Sequence, residues 1–82
     1  MKVLFFAGLR ELMGESIIEL DIDTSLTVAE LKTLIRLPTG ESLASWSQSQ
    51  SLLAAVDQAM GSDATVVDPG AEVAFFPPVT GG

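Results

Sequence analysis

The sequence predicts an α+β domain in which one main helix crosses a mixed sheet of about five strands. Apolar segments of strand length stand near both ends of the chain, at 3–7 and 72–76, and one well-marked helix lies between them, at 27–36. Strands that are apolar on both faces need cover on both sides, so they lie in the middle of a sheet. We therefore expect the first and last strands to be central neighbours.

The remaining strands are weaker in sequence. Segment 16–22 alternates apolar and acidic residues, which predicts a half-buried outer strand antiparallel to the first. Further strands are expected at 52–57 and 64–67. A turn is expected at 68–70, because its proline presets φ and its glycine permits positive φ.

The helix has a clear beginning and end. Thr27 and Glu30 fit a capping box, in which each side chain bonds the other residue's backbone N–H. The apolar stripe of the helix follows at helical spacing: Val28, Leu31, Leu34 and Ile35. Pro38 disfavours helix at the residue before it, so the helix is expected to end at 36.

These elements, in this order, predict a β-grasp (ubiquitin-like) domain over residues 1–78, with a flexible tail at 79–82. A second short helix is expected at 41–47, with Leu43 and Trp46 facing inward. The core is expected to include Phe5, Leu31, Leu34, Leu52 and Val73.

Composition excludes several functions. The chain has 11 acidic and 4 basic residues and a net charge of −7, so nucleic acid and anionic membrane are disfavoured as partners. It contains no Cys and no His, which removes thiol, zinc and imidazole chemistry. Residues 37–82 carry five acids and no base, which favours a basic partner. No run of about 20 apolar residues is present, so a cytoplasmic protein is expected.

Motifs for metal or phosphate do not fit. Asp21 and Asp23 imitate the start of a calcium loop, but Leu26 stands where glycine is needed and Lys32 where glutamate is needed. The glycines form no phosphate-binding pattern. We therefore predict no metal site, no bound cofactor and no self-sufficient active site.

The C terminus is the distinctive feature. The last strand leads into Pro77-Pro78 and then Val79-Thr80-Gly81-Gly82. Prolines extend and stiffen the exit from the sheet. A terminal Gly-Gly is thin enough for a channel in which any Cβ would clash, and it presents the α-carboxylate of Gly82 for activation.

The last strand also predicts a docking surface. Alternation places Phe75 and Phe76 on opposite faces of the sheet, and one long helix covers only one face. We expect one of the two, with Pro77 and Pro78, to form an exposed apolar patch for partners. The alternative is that the 41–47 helix, with Trp46, covers that side.

Segment 74–82 resembles the C terminus of the MoaD family, the small subunits of molybdopterin synthase. Segment 3–7 with Arg10-Glu11-Leu12 resembles the N terminus of that family, and segments 52–57 and 68–73 fall where the family places them. Segment 38–51 is not distinctive.

The resemblance implies a carrier and co-substrate whose catalytic side chains belong to its partners. Gly82 would be adenylated by an E1-like enzyme with ATP and become a thiocarboxylate (1-thioglycine). The tail, with Val79, Thr80 and Gly81, would enter the large subunit of a heterotetramer and deliver sulfur to cyclic pyranopterin monophosphate, forming the molybdopterin dithiolene. The alternative is another diglycine β-grasp carrier, either the thiamine-pathway sulfur carrier or a ubiquitin-like modifier.

Overall fold

The computed structural model describes residues 1–78 of the 82-residue chain. The strands are β1 (Lys2–Phe5), β2 (Ile17–Glu19), β3 (Leu26–Thr27), β4 (Leu53–Val56), β5 (Ala59–Gly61), β6 (Val66–Val67) and β7 (Glu72–Phe76). The helices are α1 (Ala7–Met13), α2 (Val28–Leu34) and α3 (Leu43–Trp46). Within residues 1–78, five strands form the main sheet in the order β2-β1-β7-β4-β5, and β3 pairs with β6 separately.

The predicted central pair is confirmed. Strands β1 and β7 run parallel, with Val3 beside Val73 and Phe5 beside Phe75. All four side chains are at most 1% exposed. β2 pairs with β1 and β4 with β7, both antiparallel, so each central strand has a neighbour on both sides.

The strand at β5 was not predicted. It forms a hairpin with β4 through Asp57 and Gln58, both of which have positive φ. Two-residue hairpin loops of this shape usually carry Asn-Gly or Asp-Gly, so Asp-Gln gave no signal. The predicted strand at 64–67 exists only as β6, which pairs with β3 rather than joining the main sheet.

Helix α2 begins as predicted and ends early. Thr27 Oγ1 accepts from Glu30 N at 3.1 Å, and Glu30 Oε1 accepts from Thr27 N at 2.8 Å. The helix stops at Leu34 rather than at 36, because Ile35 is extended and its carbonyl accepts from Leu43 N at 2.8 Å. The loop after β5 also binds α2: Asp63 O accepts from Ala29 N at 3.0 Å.

The core lies between the helices and one face of the sheet. Phe5, Leu31 and Val73 are buried as predicted, and Leu52 is half-buried against this core. The prediction for Leu34 was wrong, since its side chain is 51% exposed. The buried stripe of α2 runs through Val28, Leu31, Lys32 and the following Ile35; at 100° per residue Leu34 lies about a third of a turn from its centre.

Candidate functional site

The predicted reactive tail begins beside the middle of the sheet. Val79, Thr80, Gly81 and Gly82 lie outside the described residues. The described chain ends at Pro78, two residues after β7, the strand held between β1 and β4. The described chain is therefore held, up to Phe76, by a strand that is hydrogen-bonded on both sides.

The two phenylalanines of β7 have different roles. Phe75 is completely buried against the helices. It therefore cannot contact a partner, and the prediction of Phe75 as a docking residue is not supported. Alternation turns Phe76 to the other face, where it is half-buried beside the half-buried Pro77 and exposed Pro78. The exposed member of the predicted pair is therefore Phe76.

The alternative cover for that face is not found. Helix α3 packs against α2, on the helical side of the sheet. Trp46 is partly buried against the same core that Phe75 fills. The sheet surface that carries Phe76 is named here the open face.

An apolar row crosses the open face from edge to edge. Strand register aligns one residue from each of five strands within residues 1–78, and the row contains Ile17, Leu4, Ala74, Ala55 and Met60. Its outer members are the most accessible: Ile17 is 47% and Met60 63% exposed. An apolar strip of this extent on a small domain is typical of a docking surface.

The end of the open face nearest the tail is aromatic. Phe76 lies opposite Leu53 in the β4–β7 register. Phe6 follows β1, its N–H donates to the Phe75 carbonyl at 3.2 Å, and its side chain is 48% exposed. The next residue, Ala7, has φ +53°, a left-handed conformation that is strained for a residue with a Cβ. Large apolar side chains thus surround the point where the tail leaves the sheet.

The opposite end of the open face is charged. Lys2 pairs with Glu19 on one side and with Glu72 on the other, and this charged row lies two residues along the strands from the apolar row. The N-terminal ammonium lies 3.8 Å from a Glu19 carboxylate oxygen. Asp57 accepts from Glu72 N at 2.9 Å and fixes the start of β7. Charged residues therefore bound the apolar surface at this end of the open face. At the other end the apolar surface continues to Phe76.

Sequence reasoning found Phe76 but missed most of its neighbours on the open face. Leu4 and Ala74 belong to segments that are apolar on both faces, so the sequence does not show which of their residues lie on the open face. The place of Leu53 on the open face follows only from the β4–β7 pairing, and that of Met60 only from the β4–β5 pairing. A row across five strands is set by register, which a single strand's pattern does not reveal.

Across residues 1–78 there is no group of three or more side chains that could hold a metal ion. Glu30 lies at the start of α2, where the Thr27 backbone N–H and hydroxyl lower the pKa of its carboxyl. No helix in the described part is long and apolar enough to cross a membrane. The arrangement supports docking and presentation of the tail.

The sequence is similar to known proteins over almost its whole length. The sequence model of the ThiS family matches residues 3–82. A molybdopterin synthase sulfur carrier subunit of Haemophilus influenzae is 39% identical, and the match covers 100% of this chain and 99% of that protein. A protein of the same description from Escherichia coli is 40% identical, with the same coverage.

Solved structures confirm the β-grasp fold. SAMP1 of Haloferax volcanii superposes with a TM-score of 0.66 at 23% identity, covering 99% of this chain and 97% of that one. A second structure, of the small archaeal modifier protein 1 of H. volcanii, gives 0.65 at 21% identity and 95% coverage of both chains. At this identity the likeness is one of fold.

Proposed function

The chain belongs to the ThiS family, and from that premise we propose that it is the sulfur carrier subunit of a molybdopterin synthase. The observation that carries the proposal is the full-length match, at about 40% identity, to two proteins of that description. The sequence adds Gly81-Gly82, which four residues separate from the end of the central strand β7. In this function Gly82 is the reactive residue and the chain itself is a co-substrate.

The chemistry uses the terminal carboxylate. A carboxylate is a poor electrophile, so an E1-like enzyme first joins the Gly82 carboxylate to the AMP of ATP and releases pyrophosphate. Sulfur at the oxidation level of hydrosulfide then attacks the acyl carbon, AMP leaves, and the product is a thiocarboxylate. Transfer of that sulfur to cyclic pyranopterin monophosphate, with water supplying the replacing oxygen, returns Gly82 to a carboxylate. The carrier needs no cysteine for any of these steps, and it has none.

The open face is the proposed docking surface for both partners. Phe76, Leu53 and Phe6 surround the start of the tail, so a partner that covers them receives the tail at a defined place. Val79, Thr80 and Gly81 are then the residues that pass into the partner's site. The E1-like enzyme and the large subunit would bind the same surface and compete for it. In the assembled synthase, two carriers would flank a central dimer of large subunits.

A second diglycine carrier function remains the alternative. The matching family is the ThiS family, and the structural neighbours include a small archaeal modifier protein. The thiamine-pathway carrier also ends in Gly-Gly, so the terminus alone does not separate the two functions. The enzyme that accepts the sulfur distinguishes them.

The test is reconstitution with purified partners. The thiocarboxylate form of the chain is mixed with the large subunit of molybdopterin synthase from its own host and with cyclic pyranopterin monophosphate. The proposal predicts formation of molybdopterin, and no product from the carboxylate form. Charged carrier that binds the thiamine-forming enzyme instead, and gives no molybdopterin, would establish the alternative.

A further inference from the structure

Strand β2 forms one edge of the main sheet. Phe5 N donates to Ser16 O at 2.9 Å, so the backbone of residue 16 faces β1. In an antiparallel pair the residues that bond to the neighbouring strand alternate along the chain. The N–H and C=O groups of Ile17 and Glu19 therefore point away from β1, and within residues 1–78 no strand lies on that side. A row of unpaired backbone groups of this kind is a template for a further strand.

The opposite edge of the sheet, β5, offers less. Asp57 N donates to Glu72 O at 2.8 Å, so residue 57 faces β7. One residue earlier, Val56 therefore faces β5, where Ala59 is its register partner. By the same alternation Met60 is the residue of β5 whose backbone points outward. An edge with two outward residues, β2, accepts a strand more readily than an edge with one.

The edge formed by β2 is strongly acidic. Residues 11–31 contain six acidic residues and no basic one. Glu15, Glu19 and Asp21 lie in or beside β2, and all three are exposed. Lys2 pairs with Glu19 in register, but it belongs to β1 and lies on the inner side of the edge. The edge therefore keeps an excess of negative charge, which favours a basic partner.

A second copy of this chain fits the edge poorly. Two β2 strands related by a two-fold axis run antiparallel, and the pairing through their outward groups can be centred on Ile17, Ile18 or Glu19. The first register sets Glu19 opposite Glu15, the second sets Glu15 opposite Asp21, and the third sets Glu19 opposite Glu19. Like charges directly opposite each other destabilise a strand pair. The charges therefore select a different chain with basic side chains.

We propose that the edge of β2 binds an extended, basic segment of a partner protein as a sixth strand of the main sheet. Main-chain hydrogen bonds to Ile17 and Glu19 hold such a strand, and its side chains give specificity. Ile17 is the outermost residue of the apolar row on the open face, so the edge is continuous with that face. The segment that fits carries an apolar side chain opposite Ile17 and, two residues away, a basic one opposite Glu19.

A synthetic peptide tests the proposal on the full chain. The probe is a capped peptide of nine residues, Lys-Thr-Lys-Thr-Val-Thr-Lys-Thr-Lys, which reads the same from both ends and so fits either strand direction. Hydrogen exchange of the Ile17 and Glu19 amides should slow about tenfold when nine-tenths of the chain is bound, because exchange then proceeds from the free tenth. The Met60 amide, on the opposite edge, is the internal control and should not change.

Two altered peptides separate strand addition from simple charge attraction. The same peptide with every backbone amide N-methylated keeps its charge and side chains but donates no backbone hydrogen bond, and it should not bind. The peptide with glutamate in place of lysine should not bind either. Equal binding of the N-methylated peptide would show attraction by charge alone and overturn the proposal.

Two pairs of variants locate the binding on β2. Ile17→Pro removes one outward N–H without touching the bonds to β1, and it should bind the peptide about two- to tenfold more weakly than Ile17→Ala. Glu19→Gln should weaken binding by up to about fivefold, whereas Glu72→Gln, two strands away, should leave it unchanged. If Ile17→Pro does not fold, the N-methylated peptide on the unchanged chain still decides.

Two further results would overturn the proposal. Protection of the Met60 amide instead of Ile17 and Glu19 would place the peptide on the other edge. Protection of Ile17 and Glu19 without peptide, rising with protein concentration, would show that a second copy occupies the edge. All of these measurements use the carboxylate form and involve no sulfur, so their failure would leave the sulfur carrier proposal standing.

Discussion

Phe75 and Phe76 are adjacent in the chain and lie on opposite faces of the sheet, the first completely buried and the second half-buried on the open face. One strand therefore joins the core to the proposed docking surface. The same strand precedes the segment that we propose to be reactive, and its packing in the core fixes the chain as far as Phe76.

The two phenylalanines should separate stability from binding. Phe75→Ala removes a fully buried ring and should lower the free energy of unfolding by about 3–5 kcal/mol. Phe76→Ala should change stability much less and weaken the complex with the large subunit by more than about 1 kcal/mol, as loss of a central aromatic anchor does. Thermal denaturation and calorimetric titration measure the two effects. Phe76→Ala with unchanged affinity would remove the open face from docking.

Leu31 and Leu34 make a matched pair on one helix. Leu31 is fully buried, so Leu31→Ala should cost about 2–5 kcal/mol of stability. Leu34 is half-exposed, and Leu34→Ala should cost about 0.5 kcal/mol. Chemical denaturation of both variants measures the difference. Equal losses would mean that Leu34 belongs to the core after all.

The capping box predicts a pH dependence of stability. Hydrogen bonds from the Thr27 backbone N–H and then from its hydroxyl hold the pKa of Glu30 below its ordinary value of 4.5. The contribution of the ionised carboxylate is therefore fully present above pH 4.5 and is lost as the pH falls through the lowered pKa. Glu30→Gln keeps a hydrogen-bonding side chain but does not titrate.

Melting temperatures of the wild type and Glu30→Gln should therefore differ by a constant amount near neutral pH and converge in acid. Thr27→Ala, which removes one of the donors, should cost about 1 kcal/mol at neutral pH. A gap between wild type and Glu30→Gln that stays constant down to pH 3 would contradict the proposed role of the carboxylate.

The tail should tolerate little added bulk. Gly81→Ala adds one methyl group where the chain is proposed to pass through a narrow channel. We expect normal folding and a clear loss in the rates of adenylation and of sulfur transfer. Both rates can be measured with the purified E1-like enzyme and large subunit, and melting temperature serves as the folding control. Rates equal to the wild type would show that the channel accommodates a Cβ.

The sequence predicted the elements whose signals are local or strongly apolar. The pairing of the first and last strands followed from segments that are apolar on both faces. The start of α2 followed from its capping box. What sequence could not provide was register and tertiary contact. Ile35 leaves the helix because its carbonyl accepts from Leu43 N, a bond that no helical periodicity reveals. Met60 lies on the open face because β5 forms a hairpin with β4, and the loop of that hairpin contains no glycine that would have predicted it.

The most direct measurement is the mass of the C-terminal peptide of the protein purified from its native host. We predict a fraction in which one oxygen of the Gly82 carboxylate is replaced by sulfur, and loss of that fraction in a host without the E1-like enzyme. A chain lacking Gly82 should fold normally and show no such mass change. A terminus that stays an ordinary carboxylate, while the host makes molybdopterin at a normal rate, would contradict the sulfur carrier function.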